Sequence, residues 1–138
     1  MNGTGNNGLA LAFDQANLLH VLTALDDLQL DGLPFGVIGF GPDGLVQRYN
    51  RFESECTGLT QEYVVGKHVF TQIAQCMNNF LVAQRFEDAR VAACPLDETL
   101  DYVLTWRMKP TKVKLRLLCA QDCELAYVVL SPRTAIKS

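Results

Sequence analysis

The sequence predicts an α+β fold: a five-stranded antiparallel sheet with a helical insert on one face and helices ahead of its first strand. Three observations carry this. Strand-like alternation comes in two blocks, residues 34–50 and 97–130. Between them, from Arg51 to about Ala92, the alternation disappears. Ahead of the first block, Leu11 to Leu30 spaces its apolar residues at helical intervals.

Taken in order, Leu18, Leu19, Leu22 and Leu25 form the apolar side of an amphipathic helix, broken near Asp26-Asp27 and ended by Asp31-Gly32. Pro34 to Phe40 reads as a buried strand. Gly41-Pro42-Asp43-Gly44 is a turn, because its residues tolerate the backbone angles a reversal needs. Leu45 to Asn50 is the hairpin partner. The insert opens with short helical pieces punctuated by Gly58 and Gly66. It closes with a longer helix from Asn79 to about Ala92, with Phe80, Val82, Ala83, Phe86 and Ala89 on its apolar side. Strands follow over Asp97–Arg107 and Lys112–Cys119, joined by Met108 to Thr111, and a last strand runs from Glu124 to Leu130. Lys112, Lys114 and Arg116 alternate as a charged, solvent-facing strand face does.

The 138 residues make one ordinary domain, with no internal repeat and no low-complexity linker. Twelve Lys and Arg against fifteen Asp and Glu give a net charge of −3, the wrong sign for a nucleic-acid surface. No apolar run approaches the ~18 residues of a membrane span. Met1 to Gly8 carries no Lys or Arg and reads as a polar tail rather than a secretory signal. Five cysteines, an odd count, fit free thiols in a reducing, cytoplasmic compartment better than a disulfide framework. Cys119 and Cys123 lack a second pair at ligand spacing, and His20 and His68 stand alone, so no metal site is expected.

Five segments carry the functional reading. They are Gln29 to Ile38 with its Leu-Pro-Phe-Gly run, and Asp43-Gly44 through Tyr49-Asn50. Next come Glu53 with Thr57-Gly58, then Val65-Gly66-Lys67 through Phe70, Ala74 and Cys76, and last Met108 to Lys114. Over residues 28–131 the chain resembles the photoactive yellow protein family of PAS-fold receptors. Tyr49, Glu53, Thr57 and Cys76 at the family's separations are the specific part of that resemblance. It implies a tail and helical cap over 1–27, a PAS photosensor core over 28–131 and a C-terminal tail over 132–138.

The resemblance further implies a blue-light photoreceptor, not an enzyme, that binds 4-hydroxycinnamic (p-coumaric) acid as a thioester on Cys76. Tyr49 and Glu53 match the pair that hydrogen-bonds the phenolate, and Thr57 the hydroxyl that supports the tyrosine. Phe70 and Trp106 match pocket aromatics, and Met108 a methionine on the pocket-covering loop that speeds thermal recovery. In the family, light isomerises the chromophore from trans to cis. The buried glutamic acid then protonates the phenolate, and the new carboxylate drives partial unfolding. Output is expected through a separate signalling protein or a second copy of the chain, with no nucleic-acid or membrane partner. The helices of residues 11–30 are the natural element to detach.

The residues suit this chemistry in their own right. A thiol forms a thioester with an activated acid. A phenolate in an apolar pocket is costly unless strong donors meet it, and Tyr49 with a protonated Glu53 would be such donors. A desolvated carboxyl beside another anion keeps its proton. Other readings of the same residues stay open. Cys76 also suits a buried structural thiol, Glu53 a solvated helix-start carboxylate, and Thr57 an N-cap. The whole chain also suits a chromophore-free PAS domain that senses a small ligand or mediates association. An enzyme using Cys76 as nucleophile would want a neighbouring base, and neither histidine belongs to a recognisable dyad. The chain departs from the family at Leu59, where a lid arginine is usual. Arg51 and Arg107 are the candidate substitutes.

Overall fold

The computed structural model describes residues 11–105 and 110–135. Its sheet runs in the order β2-β1-β5-β4-β3, every neighbouring pair antiparallel. The strands are β1 (Gly36–Phe40), β2 (Val46–Tyr49), β3 (Leu96–Leu104), β4 (Thr111–Cys119) and β5 (Ala126–Leu130). Helices α1 (Leu18–Ala24) and α2 (Asp27–Asp31) precede the sheet. The insert holds α3 (Arg51–Thr57), α4 (Gln61–Val64), a π-helical turn over Val69–Ile73, a 3-10 turn over Gln75–Met77 and α5 (Ala83–Ala92). A two-residue strand, β6 (Thr134–Ala135), pairs with β4.

Alternation along the strands divides the buried side chains between two faces. Ile38, Phe40, Leu115, Leu117, Val128 and Leu130 pack against the insert. Val37, Leu118, Tyr127 and Val129 pack on the other face against Leu18, Leu19, Leu22 and Leu30 of the N-terminal cap. The break between α1 and α2 is chemically specified. Asp26 accepts a hydrogen bond from Gln29 N while the Gln29 side chain accepts from Asp26 N, a capping box that starts α2.

Two arginines, the buried Arg116 and the half-buried Arg48, hold the cap down. Arg48 Nη1 donates to Leu22 O and to Tyr127 Oη at 2.9 Å each, Nη2 donates to Leu25 O, and Nε pairs with Asp27 at 3.0 Å. Arg116 forks onto Asp97 with two bonds of 2.9 Å, and its Nη1 reaches Phe13 O and Gln15 O. The solvent-facing reading of Lys112, Lys114 and Arg116 is therefore corrected at its last member. Both lysines are exposed, but Arg116 lies under the segment that leads into the cap. His20, isolated in the sequence, meets Asp122 and Cys123 along the same seam, bonding Asp122 at 3.0 Å.

The long helix of the insert also begins later than expected, at Ala83 rather than Asn79. The Asn79 carboxamide oxygen accepts from Leu81 N and Val82 N, closing a local turn that competes with helix. Phe80 is consequently 78% exposed, while Val82 and Phe86 are buried. The last strand starts at Ala126, two residues after Glu124, and β6 falls in what reads from sequence as a tail.

Candidate functional site

The site begins with Asn50, the N-cap of α3. Its carboxamide oxygen accepts from Val37 N at 2.9 Å and Glu53 N at 3.2 Å, and its amide donates to Leu30 O and Phe35 O at 2.9 Å each. All four capacities of one buried side chain are used, so the end of β2 and the start of α3 are fixed together. Tyr49 pairs with Ile38 across the hairpin and points to the insert side, opposite to Arg48. Glu53, three residues past the cap, turns inward and is 3% exposed.

Here the close approach of Gly36 matters. A methyl group on Gly36 would overlap Glu53 Oε1, so only glycine lets the carboxylate lie against β1. Gly36→Ala is expected to push Glu53 out of place and to cost roughly 1–3 kcal/mol. Denaturant unfolding checks the stability, and loss of the site's ligand affinity checks the displacement.

Glu53 Oε2 accepts from Arg133 Nη2, and Oε1 has no hydrogen-bond partner. Burial pushes the Glu53 pKa above its ordinary value, and the Arg133 charge opposes that shift without cancelling it. The Tyr49 phenol is raised above its usual range, first by burial and then by the neighbouring Glu53. Its hydroxyl lies 2.7 Å from Thr57 Oγ1, which donates to Glu53 O at 3.1 Å. With Thr57 donating there, the Tyr49 proton points at Thr57, which gives a directed relay along α3.

These groups line a cavity of about 210 Å³ together with Ile38, Leu59, Met77, Leu104, Thr111 and Cys76. A cavity of about 150 Å³ already accommodates benzene, so there is room for one substituted aromatic ring. Cys76 sits on the 3-10 turn as a free thiol. Its carbonyl accepts from Tyr102 Oη at 2.6 Å and from Asn79 Nδ2 at 3.3 Å, which fixes the turn that carries the sulfur.

The structure therefore brings Tyr49, Glu53, Thr57 and Cys76 to one cavity. Phe70 lies elsewhere. It packs edge-to-face on Phe40 at 5.4 Å and borders a larger, open cleft of about 830 Å³ beside α5. Phe40, Phe70 and Phe86 form one aromatic trio, and Phe70 is not among the residues lining the Cys76 cavity. Trp106 and Met108 lie outside the described residues, as does Arg107. Arg51 is exposed on the outside of α3, and Leu59 lines the cavity. Among the described lining residues there is no histidine. His68 instead caps the π-helical turn, where Nδ1 accepts from Phe70 N and Thr71 N.

Sequence reasoning missed three residues here. Tyr102 lay in an alternating strand with nothing to single it out. Asn50 was visible only as a companion to Tyr49. Arg133 was placed in a tail, because a two-residue strand leaves no periodicity to read.

A β2-β1-β5-β4-β3 antiparallel sheet whose helical insert encloses a small polar-ended cavity defines a PAS-fold domain. No protein-family model matches the chain. It is 34% identical over 107 residues to photoactive yellow protein of Rhodothalassium salexigens, covering 78% of this chain and 85% of the relative. It is 33% identical over 105 residues to photoactive yellow protein of Halochromatium salexigens, covering 76% and 83%. Among solved structures it superposes on the photoactive yellow protein domain of the sensor histidine kinase Ppr from Rhodospirillum centenum. The TM-score is 0.74 at 29% identity, covering 82% of this chain and 98% of that domain. The chain belongs to the photoactive yellow protein family.

Among the described residues no helix is long and apolar enough to cross a membrane.

Proposed function

We propose that this protein is a blue-light photoreceptor that holds a 4-hydroxycinnamoyl group as a thioester on Cys76. The observation that supports it most is the meeting, in one small cavity, of a free thiol, a buried carboxyl and a tyrosine–threonine relay. The Cys76 thiol loses its proton and displaces the leaving group of an activated 4-hydroxycinnamoyl donor, which leaves a thioester. Cys76 would hold the group and Tyr49, lining the same cavity, would donate a hydrogen bond to its phenolate. That donation requires the Tyr49 hydroxyl to turn from Thr57 to the ligand, with Thr57 keeping its bond to Glu53 O. A protonated Glu53 is the second donor. Burial and the added negative charge both favour its neutral form.

The bound group would supply a light-isomerisable double bond, whose change of shape would weaken the hydrogen bonds from Tyr49 and Glu53. Glu53 would then give its carboxyl proton to the phenolate and remain as a carboxylate facing Arg133. The negative charge would thereby move from the ring to Glu53, and this rearrangement of a buried charge beside Arg133 is the step we expect to drive partial unfolding. The N-terminal cap is the element we expect to detach and to meet a downstream protein or a second copy. It packs on the sheet through one apolar patch and two arginines.

Adding activated 4-hydroxycinnamic acid is expected to give the wild type a visible band and the mass of one acyl adduct. Cys76→Ala is expected to give neither. A wild type with no band and no adduct would point instead to a chromophore-free PAS domain for ligand sensing or association.

A further inference from the structure

Arg133 enters the cavity from a segment anchored on both sides. Before it, Ser131 N donates to Lys114 O at 3.0 Å, and Lys114 N donates to Ser131 Oγ at 2.8 Å. After it, β6 pairs Thr134 with Lys112 and Ala135 with Thr111. The backbone therefore sets where the guanidinium lies, and its side chain is 15% exposed. One nitrogen engages Glu53. The Cys56 thiol also meets the guanidinium, but Nη1 has no geometric hydrogen-bond partner and is buried, as is Glu53 Oε1. Buried polar groups are nearly always paired, so an orphaned donor and an orphaned acceptor on the walls of one cavity point to a missing ligand.

Charge gives the kind of ligand. The titratable groups that line the cavity besides Arg133 are Tyr49 from β2, Glu53 and Cys56 from α3, and Cys76 from the 3-10 turn. All are acids. Among the described lining residues Arg133 is the one cation. We propose that Arg133 is a ligand-binding residue of this site, the counter-ion that holds the bound ring as a phenolate. The inference rests on the chromophore reading above. In the ligand-free chain Arg133 pairs with Glu53. A phenolate and an ionised Glu53 together would set two anions before one cation, so one acid keeps its proton. Glu53, already disfavoured as an anion by its burial, is that acid. The bound state is then phenolate, neutral carboxyl and guanidinium, with no net charge. Arg133 thereby sets the protonation state of both partners in the later proton transfer.

The test is an absorption pH titration of the protein loaded with 4-hydroxycinnamoyl, for wild type, Arg133→Gln and Arg133→Lys. In Arg133→Gln the midpoint between neutral phenol and phenolate is expected to rise by about 1–3 pH units, the usual effect of losing a close opposite charge. Arg133→Lys is expected to restore most of the shift. Should Arg133→Gln not fold, Glu53→Gln compared with Glu53→Gln/Arg133→Gln reads the same difference without stranding a buried carboxylate. Loaded variants that titrate like their Arg133-containing parents would overturn this inference and leave the photoreceptor reading standing. A wild type that forms no adduct overturns both, and the absence of any band to titrate tells the two failures apart.

Discussion

Pigmented protein carrying Glu53→Gln is expected to keep its visible band and to lose the proton transfer that follows light. Glutamine fills the same space against Gly36 and still donates a hydrogen bond, so the phenolate keeps a partner. A carboxamide has no proton to give. A positioned acid contributes about a hundredfold or more to a proton transfer, so protonation of the isomerised chromophore should slow by roughly that factor. Light-minus-dark infrared spectra are the direct readout. Wild type should lose a protonated-carboxyl band in the light, and Glu53→Gln should show no such change. The ligand-free chain supplies a second readout. The folded Glu53 pKa lies above the unfolded value, so the folded state holds this proton more tightly. That contribution to stability is complete below the unfolded pKa, about 4.3, and is lost as pH rises through the folded pKa. Urea midpoints of Glu53→Gln should lack this part of the slope.

Arg48→Ala is expected to be the most destabilising single change outside the cavity. The guanidinium closes the C-terminal end of α1 through Leu22 O and Leu25 O, ties Tyr127 to it, and pairs with Asp27 at the start of α2. Alanine would leave helix-end carbonyls beneath the cap without donors. Hydrogen bonds to charged groups contribute about 1.5–3 kcal/mol each and do not add simply, so a loss of roughly 3 kcal/mol is expected. For a domain of this size that lowers Tm by about 10 °C. Hydrogen exchange should quicken across residues 18–31 before it does in β4 and β5. A Tm within 2–3 °C of wild type, on the same size scaling, would show that the apolar patch of Leu18, Leu22 and Leu30 holds the cap without Arg48.

Much of this was legible in the sequence, for physical reasons. Val37 to Phe40 is a continuous apolar run because β1 lies mid-sheet, covered on both faces. Tyr49 and Glu53 meet because a strand ends, one residue caps, and a helix begins, which puts two residues four apart on one side. The misreadings came where a local hydrogen bond or a distant segment overrode the pattern. The Asn79 side chain closes a local turn where apolar spacing starts the helix at Asn79, so the helix begins at Ala83. The residues leading into α1 covered Arg116 on a strand that alternated like a solvent face. Arg133 entered the site through a pairing of two residues, too short for any periodicity to announce.

The measurement that bears most directly on a light-receptor function is the absorption spectrum of the 4-hydroxycinnamoyl-loaded wild type, recorded in darkness, during blue illumination and after return to darkness. The account predicts a visible band that bleaches in the light and recovers in the dark, with its acyl group on Cys76. A covalently loaded protein whose band is unchanged by light would contradict it.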